Sequence, residues 1–144
     1  RTLLSAAALL HDVGFHISHE SHHKHSYYLI KHSEITGFSE TEKAIIANVA
    51  RYHRGSFPRD KHSDFMNLSE PDQGLVWKLG AILRLSDALD RSYESRVKDI
   101  RFTRKGRNMT LQIVSDKDIE KELQAVEVKK AMFEQAFNCS LKVV

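Results

Sequence analysis

The sequence predicts a mainly helical protein that ends in a small ββαβ unit. Over roughly the first 95 residues, apolar side chains recur at the three- and four-residue spacings of helices, and two serine-led segments have the form of helix starts. After Ser95 the spacing changes to the two-residue alternation of strands. We therefore expect a helical domain over residues 1–95 and a ββαβ appendage over residues 96–144.

The first part of the chain predicts two helices separated by a histidine-rich loop. The opening residues carry Leu and Ala at helical spacing, so a helix starting at Arg1 is expected to end just before Gly14. Residues 16–25 have no period and are expected to form a loop. Since His32 follows His25 by seven residues, both are expected on one face of a second helix that stops before Gly37.

Two helices with recognisable start signals follow. Residues 39–42 read Ser-Glu-Thr-Glu, a capping box, and the helix that they open is expected to end before Gly55. Residues 59–68 are expected to form a polar loop. Residues 69–72 read Ser-Glu-Pro-Asp, which predicts the start of a long helix running to about Asp90.

The C-terminal part predicts a hairpin, one helix and a last strand. Two alternating apolar runs flank the polar residues 104–108, which is typical of a β-hairpin. Asp116 is expected to cap a helix that extends to about Phe137, and residues 141–144 are expected to form a short strand. The chain has no internal repeat and no low-complexity tract.

Net charge, the length of apolar runs and the cysteine count restrict the functional classes to which the chain can belong. The net charge of +3 is too small to predict binding to duplex nucleic acid. No run approaches the ~18 consecutive apolar residues of a membrane span, so no membrane partner is expected. The single cysteine, Cys139, is consistent with a reducing compartment, and we expect a cytoplasmic location.

Histidines are concentrated in one segment and point to a metal site. Seven of the nine histidines lie between His11 and His32. His11 is followed directly by an aspartate at a helix end, where adjacent side chains can approach one ion. Asp87 continues an apolar helical stripe, where a carboxylate is costly unless a cation or donors meet it. The candidate ligands are His11, Asp12, His25, His53 and Asp87.

This donor set contains nitrogen and oxygen without sulfur. It suits Mn, Fe, Co, Ni or Zn better than Ca, and Mg only in part, so the identity of the divalent metal stays open. Structural alternatives exist for each residue. His11 could cap carbonyl groups, His25 and His53 could be hydrogen-bonded core residues, and Asp87 could form a buried ion pair with Arg84 or Arg91.

Basic residues lie close in sequence to the candidate ligands. Arginine offers bidentate contacts to phosphate oxygens and lysine a mobile point charge. The candidate phosphate-binding residues are Lys24, Arg51, Arg54 and Arg91. A solvated basic face is the structural alternative, and it applies equally to the basic residues of the appendage.

Four segments resemble a known family. They read Ala-Ala-Ala-Leu-Leu-His-Asp-Val-Gly at 6–14, His-His-Lys-His-Ser-Tyr-Tyr-Leu-Ile at 22–30, Gly-Phe-Ser at 37–39 and Arg-Tyr-His-Arg at 51–54. Together they resemble the C-terminal HD-type domain of the exopolyphosphatase and guanosine pentaphosphate phosphohydrolase family, over about residues 3–91. The resemblance implies an HD-type helical bundle and assigns His11, Asp12 and Asp87 to the metal pattern of the HD superfamily, with His25 and His53 at the places of a second-metal pair.

The resemblance also implies a function. The parent protein is expected to hydrolyse the terminal phosphate of polyphosphate or guanosine pentaphosphate, with this domain binding the polyanion and contributing to a homodimer. The first histidine of the HD pattern is absent before His11, so we expect the chain to be a fragment that is weak or inactive alone. The alternatives are an autonomous metal-dependent HD phosphohydrolase acting on nucleotides and a noncatalytic metal-bearing dimerisation module.

Overall fold

The computed structural model describes residues 2–144 and confirms a mainly helical chain with a small sheet-containing appendage. The elements are α1 (Thr2–Leu10), a 3₁₀ turn (Val13–His16), α2 (His22–His32), α3 (Glu40–Arg51), α4 (Ser63–Met66), α5 (Glu70–Leu89), β1 (Asp99–Lys105), β2 (Asn108–Val114), α6 (Glu120–Lys129), α7 (Ala131–Phe137) and β3 (Ser140–Val143). Among the described residues, no helix combines the length and apolar character needed to cross a membrane.

The chain forms two compact units. The first extends to Leu83, and the second comprises Arg84–Val144, so the division falls within α5. The predicted domain boundary near residue 95 stays a prediction. Arg1, with which the first predicted helix begins, lies outside the described residues.

The first unit is built around α2 and α3. These two helices pack against each other, α1 packs against α3, and the 3₁₀ turn packs against α2. The predicted capping box is confirmed, because the Ser39 hydroxyl accepts from the Glu42 backbone N–H at 3.1 Å and the Glu42 carboxylate accepts from the Ser39 N–H at 2.8 Å. The core of the unit includes the fully buried side chains of Ala7, Ile46 and Val76.

Two predicted loops contain helical structure. Only His16 of the 3₁₀ turn and the first four residues of α2 lie within residues 16–25, and α4 lies within residues 59–68, so both loop predictions are wrong in part. α2 begins at His22 because Ser21 adopts a left-handed conformation (φ 55°) and its carbonyl accepts the Lys24 N–H at 2.8 Å. The first turn of α2 consists of histidine and lysine, so apolar periodicity could not reveal it.

Gly14 fixes the distance between the 3₁₀ turn and α2. Its N–H donates to the Ser26 hydroxyl at 2.9 Å, and that hydroxyl donates to the His11 carbonyl at 2.5 Å. A Cβ at Gly14 would lie 2.1 Å from the His22 carbonyl oxygen, closer than any real contact. The missing side chain therefore places His11 and Asp12 beside the first turn of α2.

The second unit contains the predicted hairpin. β1 and β2 pair antiparallel, with Phe102 opposite Leu111, and β2 pairs parallel with β3, with Met109 opposite Leu141. Gly106 has φ 61°, which a tight hairpin turn requires. The strand order β1-β2-β3 agrees with the predicted ββαβ arrangement.

The predicted single helix of this unit is two helices. α6 and α7 meet at Lys130, and Met132 and Val126 on them are fully buried. The predicted cap at Asp116 is wrong, since α6 begins after Ile119. The Asp116 carboxylate instead forms an ion pair with Lys98 at 2.6 Å.

Candidate metal centre and anion cavity

Three imidazoles surround the Asp12 carboxylate in the first unit. The Nε2 atom of His11 lies 3.3 Å from Asp12 Oδ2, and the Nε2 atoms of His22 and His53 lie 3.2 and 3.7 Å from Asp12 Oδ1. Ligand atoms of His11, Asp12 and His53 all lie within 4.8 Å of one another. Residues that follow α1, a residue of α2 and a residue that follows α3 thus meet at one point.

Backbone carbonyls determine which imidazole nitrogen faces the carboxylate. The Nδ1 atoms of His11 and His53 lie 2.7 and 2.5 Å from the carbonyl oxygens of Ala8 and Ala50, and His22 Nδ1 lies 3.4 Å from the carbonyl oxygen of His19. A carbonyl oxygen only accepts, so each Nδ1 carries the proton and each Nε2 presents its lone pair to the cluster. This is the arrangement by which metal-ligating histidines are oriented.

The Nε2 atoms of His22 and His53 are only 3.1 Å apart. Two nitrogen lone pairs at this distance repel each other, so a proton between the two nitrogens or a metal ion bound by both must offset the repulsion. Asp12 Oδ1 is buried and accepts no hydrogen bond. A buried carboxylate oxygen beside imidazole lone pairs fits a divalent cation, and nitrogen and oxygen donors without sulfur suit Mn, Fe, Co, Ni or Zn.

Packing holds the two inner imidazoles in place. The side chains of His22 and His53 are only 3% and 1% exposed. His22 stacks on Phe15 with ring centroids 4.1 Å apart and an interplanar angle of 20°. His53 makes an edge contact with His11 at 4.8 Å between centroids. Such rings lose little further freedom when a ligand binds.

The predicted ligands are brought together in part. His11, Asp12 and His53 lie in the cluster, together with His22, which was not among the predicted ligands. His25 is a half-buried residue one turn further along α2. The Asp87 carboxylate belongs to the second unit, where it forms an ion pair with Lys129, a partner 42 residues away. The ligand roles of His25 and Asp87 stay predictions.

A basic cavity of about 380 Å³ lies beside this cluster. It is lined by His23, Lys24, Arg51, Tyr52, Ser56, Arg59, Lys61 and His62. These lining residues, all within the described part of the chain, include four cations and no carboxylate. The cavity therefore favours an anionic ligand.

Arg51 is the most firmly held cation of the cavity. Its guanidinium lies 5.6 Å from the ring centroids of both Tyr27 and Tyr52. It lies 3.9 Å from the Asp64 carboxylate, which is closer, at 2.9 Å, to Lys31. The aromatic rings thus orient Arg51, while Lys31 forms the shorter ion pair with Asp64.

The cavity is an environment of positive potential. Burial lowers the pKa of His62, and Arg51, Lys61, Arg59 and Lys24 lower it further. Burial also lowers the pKa of His23 to about 4, with contributions from neighbouring cationic groups. Burial raises the pKa of Tyr52 to about 12, and its hydroxyl lies 2.7 Å from His62 Nδ1. Both imidazoles are therefore neutral at pH 7.

The predicted phosphate-binding residues divide into two groups. Lys24 and Arg51 line the cavity, whereas Arg54 is exposed outside its lining and Arg91 is an exposed residue of the second unit. Arg59, Lys61 and His62 also line the cavity, although none of them was predicted as a binding residue; they come from the segment that was predicted to be a loop. The signal that could have found them is the clustering of basic residues between Arg51 and His62.

Comparison with known proteins gives the family. Residues 1–131 match the family model described as Ppx/GppA phosphatase, domain III. The chain is 42% identical over 57 residues to a guanosine-5'-triphosphate,3'-diphosphate pyrophosphatase of Pseudoalteromonas translucida (strain TAC 125), covering 40% of this chain and 12% of that relative. It is 36% identical over 52 residues to a protein of the same name from Pseudoalteromonas atlantica (strain T6c / ATCC BAA-1087), covering 36% of this chain and 10% of the relative. The chain thus aligns with only about a tenth of the length of these curated relatives, and the match over 131 residues shows that it belongs to the Ppx/GppA phosphatase family, in the part described as domain III.

Proposed function

We propose that this domain serves a phosphohydrolase that releases the terminal phosphate of guanosine pentaphosphate or polyphosphate, and that it carries an HD-type divalent-metal centre. Family membership supports the phosphohydrolase class. The names of the two relatives, both guanosine-5'-triphosphate,3'-diphosphate pyrophosphatases, favour a guanosine polyphosphate as substrate.

The observation that carries the metal proposal is the convergence of three imidazole Nε2 atoms on one carboxylate. His11, Asp12, His22 and His53 are the ligands that we propose from this geometry. The HD pattern of the sequence also predicts His25 and Asp87 as ligands, but the geometric proposal does not include them. A divalent ion held there would polarise a phosphoryl oxygen and activate water.

The protein residues around the centre have separate tasks. The backbone carbonyls that accept from Nδ1 keep the imidazole lone pairs directed at Asp12. Lys24 and Arg51 in the cavity, with Arg54 and Arg91 on the surface, are proposed to attract and bind the phosphate groups. Positioning and charge neutralisation are the main protein contributions to phosphoryl transfer.

Metal titration tests the proposal. Protein purified without chelator is titrated with Mn²⁺ in a calorimeter, and we expect one saturable site. Asp12→Asn should abolish that site, because the substitution removes the only carboxylate of the cluster. Asp60→Asn is the matched control, since Asp60 is an exposed carboxylate of the same unit. Equal Mn²⁺ binding by the two variants would contradict the metal centre.

Phosphate release tests the activity. We expect the 144-residue chain with Mn²⁺ to release little phosphate from polyphosphate or guanosine pentaphosphate. Robust turnover that His11→Ala abolishes would instead favour an autonomous HD phosphohydrolase. Turnover unaffected by His11→Ala would show that the metal centre plays no part in hydrolysis.

A further inference from the structure

We propose that the exposed edge of strand β1 binds an extended, acidic segment of a partner protein, which adds to the sheet as a further strand. The edge lies in the second unit and shares no residue with the metal centre or the basic cavity. Binding at this edge is therefore independent of the proposed phosphohydrolase function.

The backbone of β1 has one side that pairs with no strand of the described part of the chain. The strand order is β1-β2-β3, so β1 is an edge strand. On β2, the Ile113 N–H donates to the Val144 carbonyl at 2.9 Å and is therefore directed away from β1. Ile100, the residue of β1 opposite Ile113, thus belongs to a non-hydrogen-bonded pair of the antiparallel ladder. Because bonding alternates along a strand, the open edge presents the N–H and C=O groups of Ile100, Phe102 and Arg104.

β1 is exposed along its whole length. All seven residues of the strand are exposed, including Ile100 at 39% and Phe102 at 42%, although the Phe102 ring stacks on Phe133 with centroids 5.8 Å apart. Edge strands are usually protected by proline, by a bulge, by short length or by covering structure. β1 contains no proline and pairs with β2 without a break. Charged side chains are therefore its main protection against indiscriminate pairing.

The Asp99 carboxylate occupies one donor at the start of the edge. Its Oδ1 atom accepts the Ile100 N–H at 2.9 Å, and its Oδ2 atom lies 3.7 Å from Arg101 Nε. We therefore expect an added strand to centre its backbone hydrogen bonds on Phe102 and Arg104, beyond the reach of this carboxylate.

The charge of the edge favours an acidic partner. Three cations lie on β1, namely Arg101, Arg104 and Lys105, against the single carboxylate of Asp99. The side chains of Arg101 and Asp99 are 68% and 60% exposed, so their ion pair contributes little and leaves the guanidinium able to bind another carboxylate. A second copy of β1 would bring the same excess of positive charge to the edge. Glutamate or aspartate side chains on the added strand would instead neutralise that excess.

The alternation of β1 specifies the side chains of the partner. In an antiparallel ladder, residues directly opposite each other lie on the same face and interact as pairs. Acidic side chains opposite Arg101, Arg104 and Lys105 would form ion pairs, and apolar side chains opposite Ile100 and Phe102 would cover their exposed surface. The peptide Glu-Glu-Thr-Val-Glu-Ile-Thr has this pattern when it runs antiparallel to β1 with its valine opposite Phe102.

Fluorescence anisotropy of this peptide, acetylated, amidated and labelled at its C-terminal end, tests strand addition to the 144-residue chain. Methylating the valine nitrogen removes the N–H that would donate to the Phe102 carbonyl, and we expect binding to weaken at least about tenfold. Methylating the nitrogen of the next residue, a glutamate whose N–H would face away from β1, is the matched control and should change the affinity less than about threefold.

Charge reversal on the protein tests the choice of an acidic partner. Arg101→Glu places a carboxylate opposite a glutamate of the peptide and should weaken binding at least about tenfold. Lys142→Glu is the charge-matched control, because Lys142 is an exposed residue of β3 at the other edge of the sheet. This control should leave the affinity nearly unchanged.

Four results would overturn the proposal. Equal losses from the two methylated peptides would show charge attraction without strand pairing. Equal losses in Arg101→Glu and Lys142→Glu would show nonspecific attraction to net charge. No saturable binding up to the solubility limit of the peptide would exclude the site. A dimer in sedimentation that Arg101→Glu dissociates would assign the edge to a second copy of the chain rather than to an acidic partner.

Discussion

In the second unit, two ion pairs join opposite charges, whereas in the first unit a cluster and a cavity gather like groups, beside ion pairs such as that of Lys31 with Asp64. Asp87 pairs with Lys129, and Lys98 pairs with Asp116, within the second unit. In the first unit, three imidazoles share one carboxylate, and four cations line a cavity without any carboxylate among its lining residues, all of them described. Paired opposite charges stabilise a fold without a ligand. Like groups that are held close together become more favourable in energy when a ligand of complementary charge binds. We therefore propose that metal and phosphate ligands bind in the first unit.

The largest effect is expected from Gly14→Ala, which tests the packing that assembles the cluster. The new methyl group would lie 2.1 Å from the backbone oxygen of His22 and 2.5 Å from the Ser26 nitrogen, neither of which can move alone. We expect a loss of about 3 kcal/mol or more in the free energy of unfolding, measured by urea denaturation.

Gly74→Ala is the control for this substitution. Gly74 lies in α5, and an added Cβ there meets nothing within 4 Å. Alanine should stabilise the helix by up to about 1 kcal/mol. Similar destabilisation by both substitutions would show that Gly14 is not a special close contact.

The second prediction concerns the paired charges of the second unit. Asp87→Asn leaves the Lys129 ammonium beside a neutral amide, and both side chains are largely buried. We expect a loss of about 2 kcal/mol in metal-free buffer. Asp90→Asn should change stability little, because an asparagine oxygen can still accept the Ser95 N–H. A neutral Asp87→Asn variant would contradict a stabilising role for the pair.

The third prediction distinguishes His22 from His25 as a metal ligand. His22 Nε2 lies 3.2 Å from Asp12 and His25 is one turn away on the same helix. We expect His22→Gln to weaken Mn²⁺ binding at least about tenfold and His25→Gln to leave it unchanged. The reverse result would restore the sequence-based choice of His25 and contradict the cluster geometry.

The smallest effect is expected at the Lys31–Asp64 pair. The hydrogen bond from Lys31 lowers the pKa of Asp64, so the unfolded chain takes up a proton first as pH falls. The stabilisation is therefore complete at neutral pH and is lost as pH falls below the usual carboxyl range, about 4. Because both side chains are more than a third accessible, Asp64→Asn should cost under about 1 kcal/mol at pH 7. A difference from wild type that persists unchanged at pH 3 would exclude this ionisation as its cause.

Local signals predicted much of the fold. The capping box at Ser39 and the hairpin around Gly106 depend on neighbouring residues, so the sequence alone contains their determinants. The break between α6 and α7 at Lys130 leaves no such signal, because the helical period continues across it.

The candidate site was only partly predictable. His11 and Asp12 stand together at a helix end, which draws attention to them. His22 occupies the first turn of a polar helix, and its burial depends on Gly14 and Phe15 packing from a different element. Lys129, 42 residues away on another helix, forms an ion pair with Asp87, and the periodicity of the sequence does not predict this pairing. Contacts between distant segments, rather than local sequence patterns, determine the burial of His22 and the partner of Asp87.

The most direct test of the proposed metal centre is a crystal structure of the Mn²⁺-soaked protein with anomalous scattering data. The cluster geometry predicts one anomalous peak in the first unit, at bonding distance, about 2.0–2.3 Å, from Asp12 and from the Nε2 atoms of His22 and His53. No peak at this cluster at saturating Mn²⁺, with the His22 and His53 rings still in contact, would contradict a metal centre formed by these residues.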